Sequence, residues 1–294
     1  VRYHESQVIA PDGRLLEVAT LGDPSGHTVF FHHGTPGSTS SVSMFAEVAE
    51  MSGCFFVTIS RAGYGLSSRL EGRTVASVVG DARSALDALG RDDYVSVGWS
   101  GGGPHALACG ALDAPRCIAV WSLAGVVPID VDFDWTNGMG PENLEEFALS
   151  RTGGPAYEAH MAKAGDEFLT ANADNIIELF GGLLSDVDKA ALRSETSRRD
   201  LANACRHAFA TGYYGFYDDD RVFFTPWGFD VDDIEVPVAV WYGDEDLMVP
   251  PTHGAWLARH VASATVTRKP ADGHISLVTN HLEELVASFR RAFD

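Results

Sequence analysis

The sequence predicts an α/β protein: a mostly parallel sheet, covered by helices on both faces and interrupted by a helical cap. Three patterns carry this reading. An N-terminal hairpin signal is followed by short apolar, β-rich runs that alternate with helical stretches, the order of a parallel sheet built from crossovers. After Pro128 the alternation stops, and the chain as far as Trp227 reads as helical stretches rich in aromatics. From Val236 the alternation resumes.

Taken in order, residues 7–10 and 15–21 flank Pro11-Asp12-Gly13, whose Pro and Gly mark a tight turn between two strands. TVFFH at 28–32 is a third strand, and a helix covers 45–51. CFFVTI at 54–59 is wholly apolar and β-rich, as a strand buried on both faces must be. Residues 75–89 carry helical periodicity, YVSVG at 94–98 alternates as a strand, and PHALACGAL at 104–112 is an Ala/Leu-rich helix. IAVWSL at 118–123 continues the series. Beyond the interruption come a strand at 236–242, a helix near 254–260, a strand at 264–268 and an amphipathic helix at 282–293. Residues 1–127 and 230–294 are therefore expected to form one core, with 128–229 inserted as a helical cap.

With 294 residues, 45% of them hydrophobic and 21% charged, the chain has enough apolar surface for a large core and no compositional bias towards disorder. A formal charge of −20 repels nucleic acid and anionic lipid, so neither is expected as the main partner; a small-molecule substrate is. Cys54, Cys109, Cys117 and Cys205 show no C-x-x-C spacing and read as buried thiols in a reducing compartment. No apolar run approaches the roughly 20 residues of a membrane-spanning helix, and VRYHESQVIA lacks a basic-then-apolar leader pattern. The expected localisation is cytoplasmic.

Gly98-Trp99-Ser100-Gly101-Gly102 carries the chemistry. It is a G-x-S-x-G pentapeptide between a strand-like and a helix-like run, the context in which a serine stands on a sharp turn and projects its hydroxyl alone. Glycines on either side are needed because side chains there would clash. Gly-rich turns with a serine are common by themselves, so the weight lies in what accompanies this one. A serine hydroxyl needs a base, and the base an orienting group. Asp244, Glu245 and Asp246 directly follow the strand VAVWY, and His274 follows Gly273 after the last strand; both loops emerge at the sheet edge where Ser100 lies. Across that edge, the loop His32-His33-Gly34-Thr35-Pro36-Gly37 offers the backbone N–H of Thr35 as an oxyanion donor, beside the N–H of Gly101. His32 and His33 are adjacent on a strand end, so their side chains point opposite ways and do not read as metal ligands. No metal and no cofactor are expected.

HHGTPG, SRAGYGLS at 60–67, GWSGG, GDEDLMVP at 243–250 and the late GH at 273–274 occur in the order of the α/β-hydrolase superfamily, and over nearly its whole length the chain resembles a capped serine member of it. The resemblance implies a Ser100, Asp246, His274 triad, the acid falling three residues beyond the glycine that ends the strand. Some members take the acid after the earlier strand, where Asp130 and Asp132 lie. Serine as nucleophile sets the chain apart from haloalkane dehalogenases and soluble epoxide hydrolases, which use aspartate. The expected activity is hydrolysis of an ester or related acyl bond of a small, largely apolar substrate. HGTPG also resembles the HGGPG of proline iminopeptidases, and Glu142, Glu145 and Glu146 are available to hold a substrate amine, although the tryptophan that follows the serine in that group is missing here. A non-enzymatic ligand-binding protein on the same fold is the alternative of another class. The aromatics Tyr213, Tyr214, Phe216, Tyr217, Phe223 and Phe224 suit either the core of the cap or the roof of a pocket.

Overall fold

The computed structural model describes residues 2–293. Among these, eight strands form one sheet in the order β1-β2-β4-β3-β5-β6-β7-β8. β1 (Tyr3–Ile9) and β2 (Leu15–Gly22) make the antiparallel hairpin that Pro11-Asp12-Gly13 predicts. β2 lies antiparallel to β4 (Phe55–Ile59), and from there every neighbour is parallel: β3 (Thr28–His32), β5 (Tyr94–Trp99), β6 (Cys117–Leu123), β7 (Val238–Gly243) and β8 (Ala264–Lys269). β3, β4 and β5 are buried at every position, which is why their sequences read as unbroken apolar runs rather than alternating ones.

Right-handed crossovers decide the faces. The step from β3 back to β4 puts α1 (Ala46–Ser52) on one face, where it packs against the C-terminal helix α12 (Leu282–Phe293). Steps in the other direction carry α2 (Val78–Ala88), α3 (Gly103–Leu112) and α10 (Pro251–His260) to the opposite face. Because the chain moves one way from β3 to β4 and the other way from β4 to β5, a crevice opens at the carboxyl ends of β3 and β5. His32 pairs with Gly98 there, so the segments leaving the two strands emerge side by side.

Between β6 and β7 come only helices among the described residues: α4 (Pro141–Thr152), α5 (Pro155–Leu169), α6 (Ile176–Phe180), α7 (Asp186–Ala191), α8 (Glu195–Ala208) and α9 (Tyr214–Phe223). This insertion has a small core of its own, in which Tyr157, Met161, Ala208, Phe209 and Phe216 surround Tyr64 from the loop after β4. Gly215 lies so close to the Tyr64 ring that a β-carbon would come within 2.7 Å of it. The loop after β8 leads into a single helical turn, α11 (Ser276–Thr279). Among the described residues no helix is long and apolar enough to cross a membrane. All four cysteines are buried free thiols.

Phe289 ties α12 to the sheet: it is fully buried, with ring centroids 6.2 Å from Phe56 and 5.0 Å from Trp121. Phe289→Ala is expected to destabilise the fold by about 3–5 kcal/mol, read as a lowered urea midpoint.

Candidate active site

β5 runs into α3 through Ser100, whose φ of +57° lies in the left-handed region that non-glycine residues seldom occupy. The glycines allow this turn by letting backbone meet backbone. A β-carbon on Gly98 would be driven into the Gly102 carbonyl, and one on Gly102 into the His32 carbonyl. The turn lifts Ser100 to the wall of a cavity of about 270 Å³, lined also by Thr35 and Gly101. Gly34 lies against Ser100, where a β-carbon would sit 3.4 Å from that of the serine, and Gly101 faces Thr35 more closely still, a β-carbon there falling 2.7 Å from that of the threonine. The two predicted oxyanion donors therefore flank the predicted nucleophile.

His274 and Asp246 are both 2% exposed. His274 Nδ1 is 2.7 Å from Asp246 Oδ2, while Asp246 Oδ1 accepts the N–H groups of Met248 and Val249 at 2.8 Å each. That turn aims one carboxylate oxygen at the imidazole and leaves Nε2 free to act as a base. Burial lowers the His274 pKa, but the charge and hydrogen bond of Asp246, with the charge of Asp188 behind them, outweigh it and hold the group above its ordinary value. Trp99, the residue before Ser100, stacks on the imidazole at 5.6 Å between centroids. No hydrogen bond joins Ser100 to His274 among the described residues; such contacts commonly tighten only when substrate arrives.

The three acidic residues after β7 separate cleanly. Asp244 pairs with Arg268 at 2.7 Å, Glu245 is exposed, and Asp246 alone meets the histidine. Asp130 and Asp132 are exposed and make no contact with the histidine. His281 is half-buried and bonded to Asp272 at 2.7 Å. His32 and His33 do diverge: His32 Nε2 lies 3.0 Å from the Ser96 hydroxyl, whereas His33 Nε2 accepts the Arg61 N–H at 3.1 Å.

Sequence reasoning missed a run of three aspartates on α9. Asp218 pairs with Arg69 at 2.8 Å. Asp219 is fully buried between Arg61 at 2.6 Å and Arg73 at 2.7 Å, and accepts the Thr35 hydroxyl at 2.7 Å. Arg61 also donates to the carbonyls of His33 and Gly34. The insertion thus clamps the loop that carries the Thr35 N–H. Burial raises the Asp219 pKa, but the two guanidinium groups prevail and hold it well below 3.8. Asp220, fully buried, lines the same cavity as Ser100 together with Glu146, and its Oδ1 has no hydrogen-bond donor. The available signal was Arg61, Arg69 and Arg73 in one loop, three cations with a single acidic residue, Glu71, among them.

Two of the aromatics, Phe216 and Phe223, are buried and line the cavity, so they serve as both core and wall. Tyr214 instead lies under Arg69 at 3.9 Å. Among the described residues no cluster of three or more His, Cys, Asp or Glu side chains could hold a metal ion.

A family model described as the alpha/beta hydrolase fold matches residues 27–148. No curated protein matches the sequence. Among solved structures, an esterase from Exiguobacterium antarcticum is 14% identical with a TM-score of 0.69, over 99% of this chain and all (100%) of its own. A bromoperoxidase from Bacillus anthracis is 18% identical with a TM-score of 0.70, over 99% of both chains. An epoxide hydrolase from Vigna radiata is 18% identical with a TM-score of 0.69, over 98% of this chain and 97% of its own. The chain has the α/β-hydrolase fold. At these identities the likeness establishes the fold, and the chemistry has to be argued from the residues.

Asp219→Ala leaves Arg61 and Arg73 buried without their anion. We expect a loss of about 3–5 kcal/mol in stability, read by urea unfolding at pH 7. The depressed native pKa means that this contribution is complete above pH 3.8 and is lost as the pH falls through the native value.

Proposed function

We propose that the protein is a serine hydrolase that cleaves an ester or related acyl bond of a small substrate through an acyl-enzyme. The observation that carries this reading is the 2.7 Å His274–Asp246 contact beside a serine held at φ +57°. His274 Nε2 takes the proton of Ser100, and Ser100 Oγ attacks the carbonyl carbon. The N–H groups of Thr35 and Gly101 receive the oxyanion, a pair in which each donor is worth on the order of 100-fold to 1000-fold in turnover. The imidazolium, steadied by Asp246, returns the proton to the leaving group; water then repeats the sequence to free the acid. The helical insertion acts as a cap that excludes bulk water and sets substrate shape. Phe147, Phe216, Phe223 and Val126 suit an apolar acyl group, and the cavity of about 270 Å³ suits a small one.

A second reading is favoured by Glu146 and Asp220. Two carboxylates facing one cavity require a shared proton or a cation between them. Burial raises both pKa values, and for Asp220 the charge of Glu146 adds to it. An acyl substrate with a protonated amine, as an aminoacyl arylamide has, would supply that cation and release the proton.

Ser100→Ala and His274→Ala are each expected to lower kcat on p-nitrophenyl esters by roughly 10,000-fold or more, with the fold unchanged by circular dichroism; full activity in either would overturn the triad. Since His274 has to be neutral to act as a base, kcat/KM should be complete at high pH and fall through an acid limb lying above the ordinary 6.5. For the second reading, Asp220→Asn should lower kcat/KM on prolyl and other aminoacyl arylamides by about 10-fold or more relative to neutral esters. An unchanged ratio would leave only the neutral-ester reading.

A further inference from the structure

The loop that bears His274 is held from the insertion by one buried carboxylate. Asp188, on α7, is fully buried and accepts five hydrogen bonds. Oδ2 takes the N–H of His274 at 2.9 Å and the Ser185 hydroxyl at 3.0 Å. Oδ1 takes the N–H of Ile275 at 2.8 Å, the N–H of Ser276 at 2.9 Å and the Ser276 hydroxyl at 3.0 Å. Ser276 Oγ in turn accepts the Gly273 N–H at 2.7 Å, and a β-carbon on Gly273 would be driven into the Asp188 carboxylate. The backbone from Gly273 to Ser276 is thus wrapped around a group contributed by a different part of the fold.

This carboxylate forms no salt bridge within 4 Å among the described residues; neutral donors satisfy it. A buried anion in that position is offset further by any positive charge that arises next to it, and the charge that arises during acyl transfer is the His274 imidazolium. The imidazole meets Asp246 from the loop after β7 and the uncharged Trp99 from β5, while Asp188 from α7 meets the backbone N–H of the same residue and adds its charge from there. Asp272, in the same loop as His274, is taken up by Asn280 and His281 at 2.7 Å each.

We propose that Asp188 is a positioning residue for His274, by which the docked insertion fixes the backbone of the base-bearing loop and places a second negative charge behind the imidazole. The inference rests on the reading of His274 as the base of the hydrolase. It makes the insertion part of the machinery as well as a cover: if α7 moves away, the base loses both its backbone anchor and its second anion. The direction in which Asp188 acts on the His274 pKa, upward and behind Asp246, agrees.

The test is the pH profile of p-nitrophenyl acetate hydrolysis by the wild type, Asp188→Asn, Ser276→Ala and Ser100→Ala, with thermal unfolding of each. Asp188→Asn keeps the shape, removes the charge and turns an NH2 against backbone N–H groups. The expected result is a fall in plateau kcat of roughly 10-fold to 100-fold with KM little changed, and an acid limb of kcat/KM moved to lower pH, because a less stabilised imidazolium gives up its proton more readily. Ser276→Ala retains the charge, so it should lower kcat by a smaller factor and leave the limb in place. A folded Asp188→Asn with the wild-type limb and kcat overturns the inference. If Asp188→Asn does not fold, Ser276→Ala decides: a lowered kcat supports the inference and a wild-type kcat overturns it. Hydrolysis that survives in Ser100→Ala would instead overturn the underlying hydrolase reading.

Discussion

The backbone of Ser100 is the constraint on which the rest of the site depends. A non-glycine residue at φ +57° costs on the order of 1–3 kcal/mol and persists only where its surroundings over-determine it. Here they do. β5 is buried at every position between β3 and β6, α3 starts immediately after the turn, and Gly98 and Gly102 touch backbone that a side chain would displace. The strain is offset by the packing of the parallel sheet, and in return one hydroxyl stands clear of its own backbone at the crevice where the strand order reverses.

Around that fixed point the other groups are held by short loops, each tied at a second place. Asp246 is aimed by two backbone N–H groups, and the Thr35 loop is clamped by Arg61 and Asp219. The His274 loop is wrapped on Asp188. Two of these three ties come from the helical insertion. Its buried ions are costly to desolvate, and pairing or full hydrogen bonding makes them tolerable. What they add is geometry: Asp219 joins the insertion to Arg61 and to Thr35, so the docking of the insertion and the placement of the Thr35 loop depend on the same side chains.

How much of this was legible in the sequence follows from the range of the interactions. The buried strands were readable to within a residue or two because burial on both faces of a parallel sheet writes itself locally as apolar runs, as in CFFVTI and TVFFH, whereas the largely exposed β1 starts four residues before its expected position. Ser100 and His274 were readable because each sits at a strand end with a glycine beside it. Asp246 needed the family resemblance, since nothing local separates it from Asp244 and Glu245; the structure separates them by what each one meets, Arg268, solvent or the imidazole. Asp188, Asp219 and Asp220 were not readable at all. Their partners lie far away in the chain, and an aspartate on a helix has the same local signature whether it faces water or a buried arginine. Glu146 was read only as one of three glutamates available to hold an amine, and its meaning comes from Asp220 beside it in the cavity wall.

The central claim is that Ser100 is a nucleophile activated by its setting, and the intact mass of the protein after incubation with a small fluorophosphonate tests it without knowledge of the substrate. The account predicts one adduct, located on Ser100 by peptide mapping and absent from Ser100→Ala. A wild type that stays unmodified under conditions that label a control serine hydrolase, or an adduct that persists in Ser100→Ala, would contradict it.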